Sequence, residues 1–205
     1  MNQSKGFTGK TLLGLIAAVV IVVFILIIPA INKIPTLDEQ VSASWSQVLN
    51  QYQRRSDLVP NLVSTVKGFA KQEKDVLTSV VEARAKVSQM TLPKDVLSNP
   101  QAFQQFQAKQ SALSSALSRL LVVVERYPNL KSDKNFLALQ SQLEGTENRI
   151  SVARRDYIES VKQFNTSIRT IPGVWIRDTF FPDLTLKQNF SVTEETKAVP
   201  KVNFE

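Results

Sequence analysis

Glu144 and Glu147 stand three residues apart in the stretch Leu143-Glu-Gly-Thr-Glu-Asn-Arg-Ile-Ser-Val-Ala-Arg-Arg-Asp-Tyr157. Two carboxylates on one helix face could serve as an acid and a base. Arg154 lies seven residues beyond Glu147 and shares that face, and Asn148 and Arg155 are also seven apart. Asp156 completes the charged set. Arginine beside a carboxylate lowers its pKa and holds it ionised, which works against acid–base chemistry. A carboxylate-bridged di-metal site in a bundle wants Glu-x-x-His on two helices, and this chain of 205 residues has no His and no Cys. The absence of His removes the commonest general base, the usual transition-metal ligand and the usual pH switch. The absence of Cys removes disulfides, zinc–thiolate sites and thiol nucleophiles. The six Gly are scattered and form no phosphate-cradling loop. No catalytic, cofactor-binding or metal-binding residue is therefore assigned, and the expectation is a protein that is not an enzyme.

A second charged stretch lies upstream, Gln51-Tyr-Gln-Arg-Arg-Ser-Asp-Leu-Val-Pro-Asn61. Its Arg54, Arg55, Asp57 and Asn61 offer groups that match those around Glu144 and Glu147. The two stretches are expected to face each other across a helical bundle. Gly145 should admit a close neighbouring backbone, at about 1 kcal/mol of helix propensity. Arginine and glutamate form bidentate, charge-assisted pairs, and losing one partner of a buried pair costs several kcal/mol. One reading is a polar network that fixes helix register. The other is a binding surface for a peptide, a lipid headgroup or a partner protein.

The elements that must position these residues are helices. Apolar residues recur at Leu37, Val41, Trp45, Val48 and Tyr52, then at Val59, Leu62, Val66, Phe69, Val76, Val80, Ala83 and Val87, with Glu73 the polar exception in the second run. A second seam runs Phe103, Phe106, Gln110, Leu113, Leu117, Leu120, Val124 and Tyr127, broken only by Gln110. A third runs Phe136, Leu139, Leu143, Thr146, Ile150, Ala153 and Tyr157, then slips to Val161, Phe164, Ile168 and Ile171. Thr91 to Asp95, Ser98-Asn-Pro100 and Pro128 to Ser132 carry turn chemistry, Ser132 to Asn135 offers a cap, and Pro172-Gly173 closes the last seam. Ile34-Pro-Thr-Leu37 reads as a short hinge with Thr36 or Asp38 as a cap. The phase passes through Pro60 if Arg55 is counted in the seam. A rod from 36 to 89 would, however, be about 80 Å long, far more than the next helix could cover. With Asp57 as N-cap, Pro60 would fall in a first turn, where no backbone bond is lost. A break near 55–57 is therefore favoured. The expected fold is all-α: a single N-terminal transmembrane helix followed by an antiparallel four-helix bundle with long helices.

Residues 11–32 contain no charge and are mostly Leu, Ile, Val, Ala and Phe. About 20 such residues cross a bilayer as a helix. A cleavable signal has a shorter apolar run and a small-residue cut site, so a retained single-pass anchor in the lipid bilayer is expected. Residues 1–10 form a short basic flank with Lys5 and Lys10, 33–172 the bundle, and 173–205 a tail packed on the bundle or the membrane edge. The tail spreads Trp175, Phe180, Phe181, Phe190 and Phe204 among prolines and polar residues. Net charge is +7. Bases alternate with acids, as in Glu82-Ala-Arg84, so no nucleic acid is expected; an anionic membrane surface or acidic partner suits the excess. The basic flanks favour the N-terminus inside and the domain outside, which in a Gram-negative bacterium is the periplasm.

Gln51 to Val63, Val66-Lys-Gly-Phe69, Leu143 to Ile150, Ala153-Arg-Arg-Asp-Tyr157 and Phe164-Asn165 resemble the LemA family. The resemblance covers nearly the whole chain, and its motifs are long and specific. It implies an anchored antiparallel helical bundle of bacterial membranes, without established enzymatic activity or cofactor. Family members often occur beside envelope proteases or membrane-stress proteins, which implies a scaffold or adaptor with an envelope protein as partner. For some members the domain is described on the cytosolic side. Two other functions stay in view: an envelope hydrolase or transferase using Glu144 or Glu147, and a basic bundle that binds lipid or nucleic acid.

Overall fold

The structure is a computed structural model that describes residues 9–190, without the side chains of residues 9–11, 19, 23 and 26. The expectations placed on Lys5 and on Phe204 lie outside the described residues. Among the described residues the fold is all-α, with no strand. Its helices are α1 (Gly9–Phe69), α2 (Lys74–Ser88), α3 (Pro100–Val124), α4 (Pro128–Lys131), α5 (Lys134–Ser167) and α6 (Gly173–Phe180).

α1 is a single helix of 61 residues that contains Pro29, Pro35 and Pro60. The break favoured near 55–57 is not there, and neither is the hinge at 34–37. Thr36 caps nothing; its hydroxyl donates to the Asn32 carbonyl one turn back, at 2.9 Å. A proline inside a helix leaves the carbonyl four residues earlier without its amide partner. For Pro60 that carbonyl belongs to Ser56. Arg84 of α2 donates its Nε–H to Ser56 O at 3.1 Å. A side chain from the neighbouring helix thus fills the vacancy that a break would have avoided.

The turn comes later, at Ala70 to Glu73. Glu73, the one polar residue of its run, stands just before α2. Its carboxylate accepts from the Tyr127 hydroxyl at 2.9 Å and pairs with Arg126 at 3.1 Å. With α1 ending at Phe69, its bundle part from Ile34 onward is about 54 Å long, and α5 at 34 residues is about 51 Å. The length mismatch that argued for a break at Pro60 disappears. Phe69 and Ile171, counted in apolar seams, are 44% and 67% exposed because each falls at or beyond the end of its helix.

The turn chemistry elsewhere forms as the residues require. Asn99 accepts from the amides of Gln101 and Ala102 with Pro100 at the first helical position, and Asp133 accepts from Phe136 N at 2.9 Å. A methyl on Gly173 would lie 1.8 Å from Ser167 O, so only glycine permits the chain to turn this tightly from α5 into α6.

α1 packs along α5 and along α2, and α2 packs along α3. Trp45–Tyr157, Gln51–Arg149 and Arg55–Glu147 contacts set α1 antiparallel to α5. Trp45–Phe103 and Arg55–Gln110 contacts set α1 parallel to α3. Two cores result. One lies toward Phe69 and joins Val59, Leu62, Val66, Leu77, Val80, Leu113, Leu120 and Phe136. The other lies toward Ile34 and joins Trp45, Tyr52, Phe103, Phe106, Tyr157, Phe164 and Ile168. α2 ends at Ser88, so this second core is closed instead by residues 90–97 and by residues 181–190. The latter segment straps the bundle: Tyr157 Oη donates to Gln188 O at 2.7 Å, Asn165 Nδ2 to Lys187 O at 2.9 Å, and Lys187 pairs with Asp38 at 2.6 Å.

Beyond the bundle, α1 continues toward its N-terminus as an exposed apolar rod. A window of 18 residues there has mean hydropathy 3.3 and none of it is buried. This part of α1 is long and apolar enough to cross a membrane.

Candidate functional site

Arg55 is the largest fully buried side chain of the chain's described residues, at 1% exposure. It sits between the two cores and reaches from α1 to both α3 and α5. Its Nη1 donates to Ser114 Oγ at 2.6 Å and to Glu147 Oε1 at 3.0 Å. Its Nη2 donates to Gln110 Oε1 at 2.6 Å and to Gln110 O at 3.2 Å. The guanidinium also lies 5.0 Å from the Tyr52 ring centroid. A charge this deep persists only when it is well bonded. Both terminal nitrogens of Arg55 are, on acceptors from two different helices, while its buried Nε has no partner among the described residues. The layer continues with Thr146, fully buried, whose hydroxyl accepts from Arg149 Nη2 at 3.1 Å while Arg149 Nε donates to Gln51 Oε1 at 3.3 Å.

Three polar members of the seams thus lie at one level, while Glu73 stands apart at the start of α2. Arg55, Gln110 and Thr146 each occupy a core position on α1, α3 and α5. Only Glu147 carries the opposite charge, and its side chain is 42% exposed, so its ion pair with Arg55 is partly screened. Tyr52, beside the layer, has its hydroxyl pKa raised, chiefly by burial. Burial likewise pushes the Tyr157 hydroxyl far above the ordinary tyrosine range, which keeps it a neutral donor to the strap.

The other sequence-selected residues scatter around this layer. Arg54, Asp57 and Asn61 are exposed on α1, where Asp57 accepts from Gln53 at 2.8 Å. Glu144 is exposed and accepts from Gln140 at 3.0 Å. Arg154 lies over the Phe190 ring of the strap, 4.4 Å from its centroid. Arg155 and Asp156 are exposed neighbours, 3.9 Å apart. Gly145 admits no backbone, contrary to expectation. A methyl built there would meet only its own helix's Arg149, with Nη1 3.6 Å away. That is ordinary van der Waals contact, so a methyl would be accommodated beside Arg149.

Two concave surfaces adjoin the layer. A groove of about 480 Å³ runs between α3 and α5, lined by Ser114, Leu117, Ser118, Leu121, Leu143, Glu144, Glu147 and Asn148. A shallower one of about 420 Å³ lies between α1 and α5, with Gln47, Gln51, Arg149 and Asp156 among its lining and Asn148 shared by both. No cluster of three or more metal-ligating side chains occurs among the described residues. Of the groove's two carboxylates, Glu147 pairs with Arg55 and Glu144 is exposed and accepts from Gln140.

Sequence reasoning missed Ser114, Arg149 and Arg84. Gln110 had a signal, as the lone polar residue in its seam. Arg84 had none, because its role depends on a proline 24 residues earlier.

No match to the chain was found among curated proteins. The LemA family matches residues 44–204, which takes in the Arg55 layer, both grooves and the strap. That family is not known as an enzyme family. A match over this much of the chain, on a helical fold whose two motif stretches meet at Arg55 and Glu147, establishes that the chain belongs to the LemA family.

Proposed function

We propose that the protein is a membrane-anchored scaffold or adaptor of the bacterial cell envelope. The apolar end of α1 holds it in the inner membrane as a single span, with the bundle on the outer, periplasmic side. The α3–α5 groove receives a helical segment of an envelope protein. One observation carries this reading: the groove beside Arg55 has an apolar floor, Leu117, Leu121 and Leu143, under a rim of Ser114, Ser118, Glu144, Glu147 and Asn148. That is the composition of a helix-in-groove site, where apolar anchors give affinity and rim polar groups give register. Arg55 already ties α1 to α3 and α5 on the inner side, so the groove is preformed and its occupant need not reorganise the bundle.

The test is photocrosslinking in intact membranes. A crosslinker at Ser118 or Asn148 should trap a discrete protein adduct that a crosslinker at Thr78, on exposed α2 surface, does not. Adducts of equal yield at all three positions, or none above background, would refute the groove as the docking face. Because the chain has no native Cys, a single Cys at Asp183 also reports topology. Labelling by a membrane-impermeant maleimide from outside the cell is expected.

A further inference from the structure

α6 leaves large apolar side chains in water. Trp175 is 61% exposed and Phe180 57%, and Ile171, just before the helix, is 67% exposed. Ile176 between them is 6% exposed and ties the helix to the core, with Phe181 and Leu184 packed beside it. The helix is therefore held rigidly while it presents its aromatics outward. Its place in the fold matters. The antiparallel register set by Trp45–Tyr157, Gln51–Arg149 and Arg55–Glu147 brings Ile168 to the level of Ile34. α6 follows Ile168 and packs on α1. It thus lies where α1 leaves the bundle and becomes the exposed apolar rod. Exposed Lys33 and Arg169 flank the same level. Aromatic rings backed by basic residues at the end of a spanning segment match the interfacial belt of a bilayer, where such rings keep one side apolar and the other wet.

We propose that α6 is a second membrane contact, an interfacial helix whose Trp175, Phe180 and Ile171 enter the headgroup boundary of the bilayer that α1 crosses. The bilayer is the occupant because the apolar surface of α6 adjoins the rod itself. The inference rests on the membrane-anchor reading of α1. With α1 alone, the bundle hangs from one helix and is free to tilt. With α6 seated, two points fix its tilt and the direction in which the α3–α5 groove faces along the membrane.

The chain has two Trp, so the emission of the full chain minus that of Trp175→Phe isolates Trp175 without disturbing the core. Both proteins are reconstituted into vesicles of phosphatidylcholine and phosphatidylglycerol. The expected result is blue-shifted Trp175 emission, quenched severalfold more by lipids brominated near the headgroup end of the acyl chain than by aqueous acrylamide. Water-like emission quenched mainly by acrylamide overturns the proposal. So does a blue shift that bromolipid leaves unquenched and that fades as the protein is diluted in lipid, which would mark a second copy as the occupant. Retention of the chain on alkaline extraction of the same vesicles separates the two readings. A retained chain with a wet Trp175 defeats the α6 proposal alone, and a chain lost from the vesicles defeats the anchor and the proposal together.

Discussion

On the side of Arg55 toward Phe69 the core is mostly aliphatic, with Val59, Leu62, Val66, Val80, Leu113, Leu117, Leu120 and Val124 buried beside Phe136. On the side toward Ile34 it is rich in aromatic rings. Trp45 there has ring centroids of Phe106 at 4.9 Å, Tyr157 at 5.3 Å, Phe103 at 5.6 Å and Phe190 at 6.3 Å. The difference follows the number of helices. Where α2 is present, its Leu77, Val80 and Ala83 join Val59, Leu62 and Val66 of α1 in the core. Where α2 has ended, rings, residues 90–97 and the strap of irregular chain take its place. Strapping places backbone groups against the core, and these must be satisfied. That is the task of the Tyr157 hydroxyl and of Asn165, which bonds Lys187 through both its amide atoms. The teaching is that residue size along one continuous helix, α1, reports what stands opposite it.

The largest effect should come from the aromatic half. Trp45→Ala should destabilise the full chain in detergent micelles by about 3–5 kcal/mol, read by thermal unfolding. It should also expose residues 181–190 to rapid hydrogen exchange, because Trp45 packs on Phe103 and Tyr157, the two rings that seat Phe190. Leu120→Ala, in the aliphatic half, should leave that exchange protection in place. Equal loss of strap protection in both variants would show that the halves open as one unit and would break the comparison.

The boundary between the halves should respond next. Arg55→Met should cost about 2–4 kcal/mol, since it leaves Gln110 and Ser114 facing an apolar group while half-exposed Glu147 returns to water. Glu147→Gln should cost about 1 kcal/mol or less, because its side chain is 42% exposed. Comparable losses in the two variants would mean that the ion pair, rather than the bonds to α3, holds the layer.

The smallest effect sharpens the role of α2. Arg84→Ala should cost about 1–3 kcal/mol by leaving the Ser56 carbonyl unpaired. In a Pro60→Ala background residue 60 regains its amide, so the same change should cost less than about 0.5 kcal/mol. A double-mutant cycle reads the coupling directly. An unchanged cost in both backgrounds would separate Arg84 from the proline.

Much of this was written locally. Spacing placed α3 and α5 but divided α1 and α2 at the wrong point, the stretch Ser132 to Asn135 offered the cap that Asp133 makes, and the uncharged run marked the exposed end of α1. Gln110 and Thr146 interrupted otherwise apolar seams, and Arg55 extended the phase through Pro60. Those positions are the layer between the cores. Such features are legible because helix period, capping and apolar run length depend on residues within a few turns of each other. What tertiary structure decided depends on residues far apart in the chain. Pro60 in isolation favours a break, and it is Arg84, arriving on a different helix, that lets α1 continue. Gly145 in isolation invites a neighbouring backbone, and in the fold its nearest neighbour is Arg149 of its own helix, which reaches to Gln51. Residues 181–190 carry no helical period, and only the space left open beside Trp45 and Tyr157 gives them a place. Local pattern fixes which face of a helix is apolar; the partner that meets that face, and the donor that repairs a defect in it, exist only once the chain has folded.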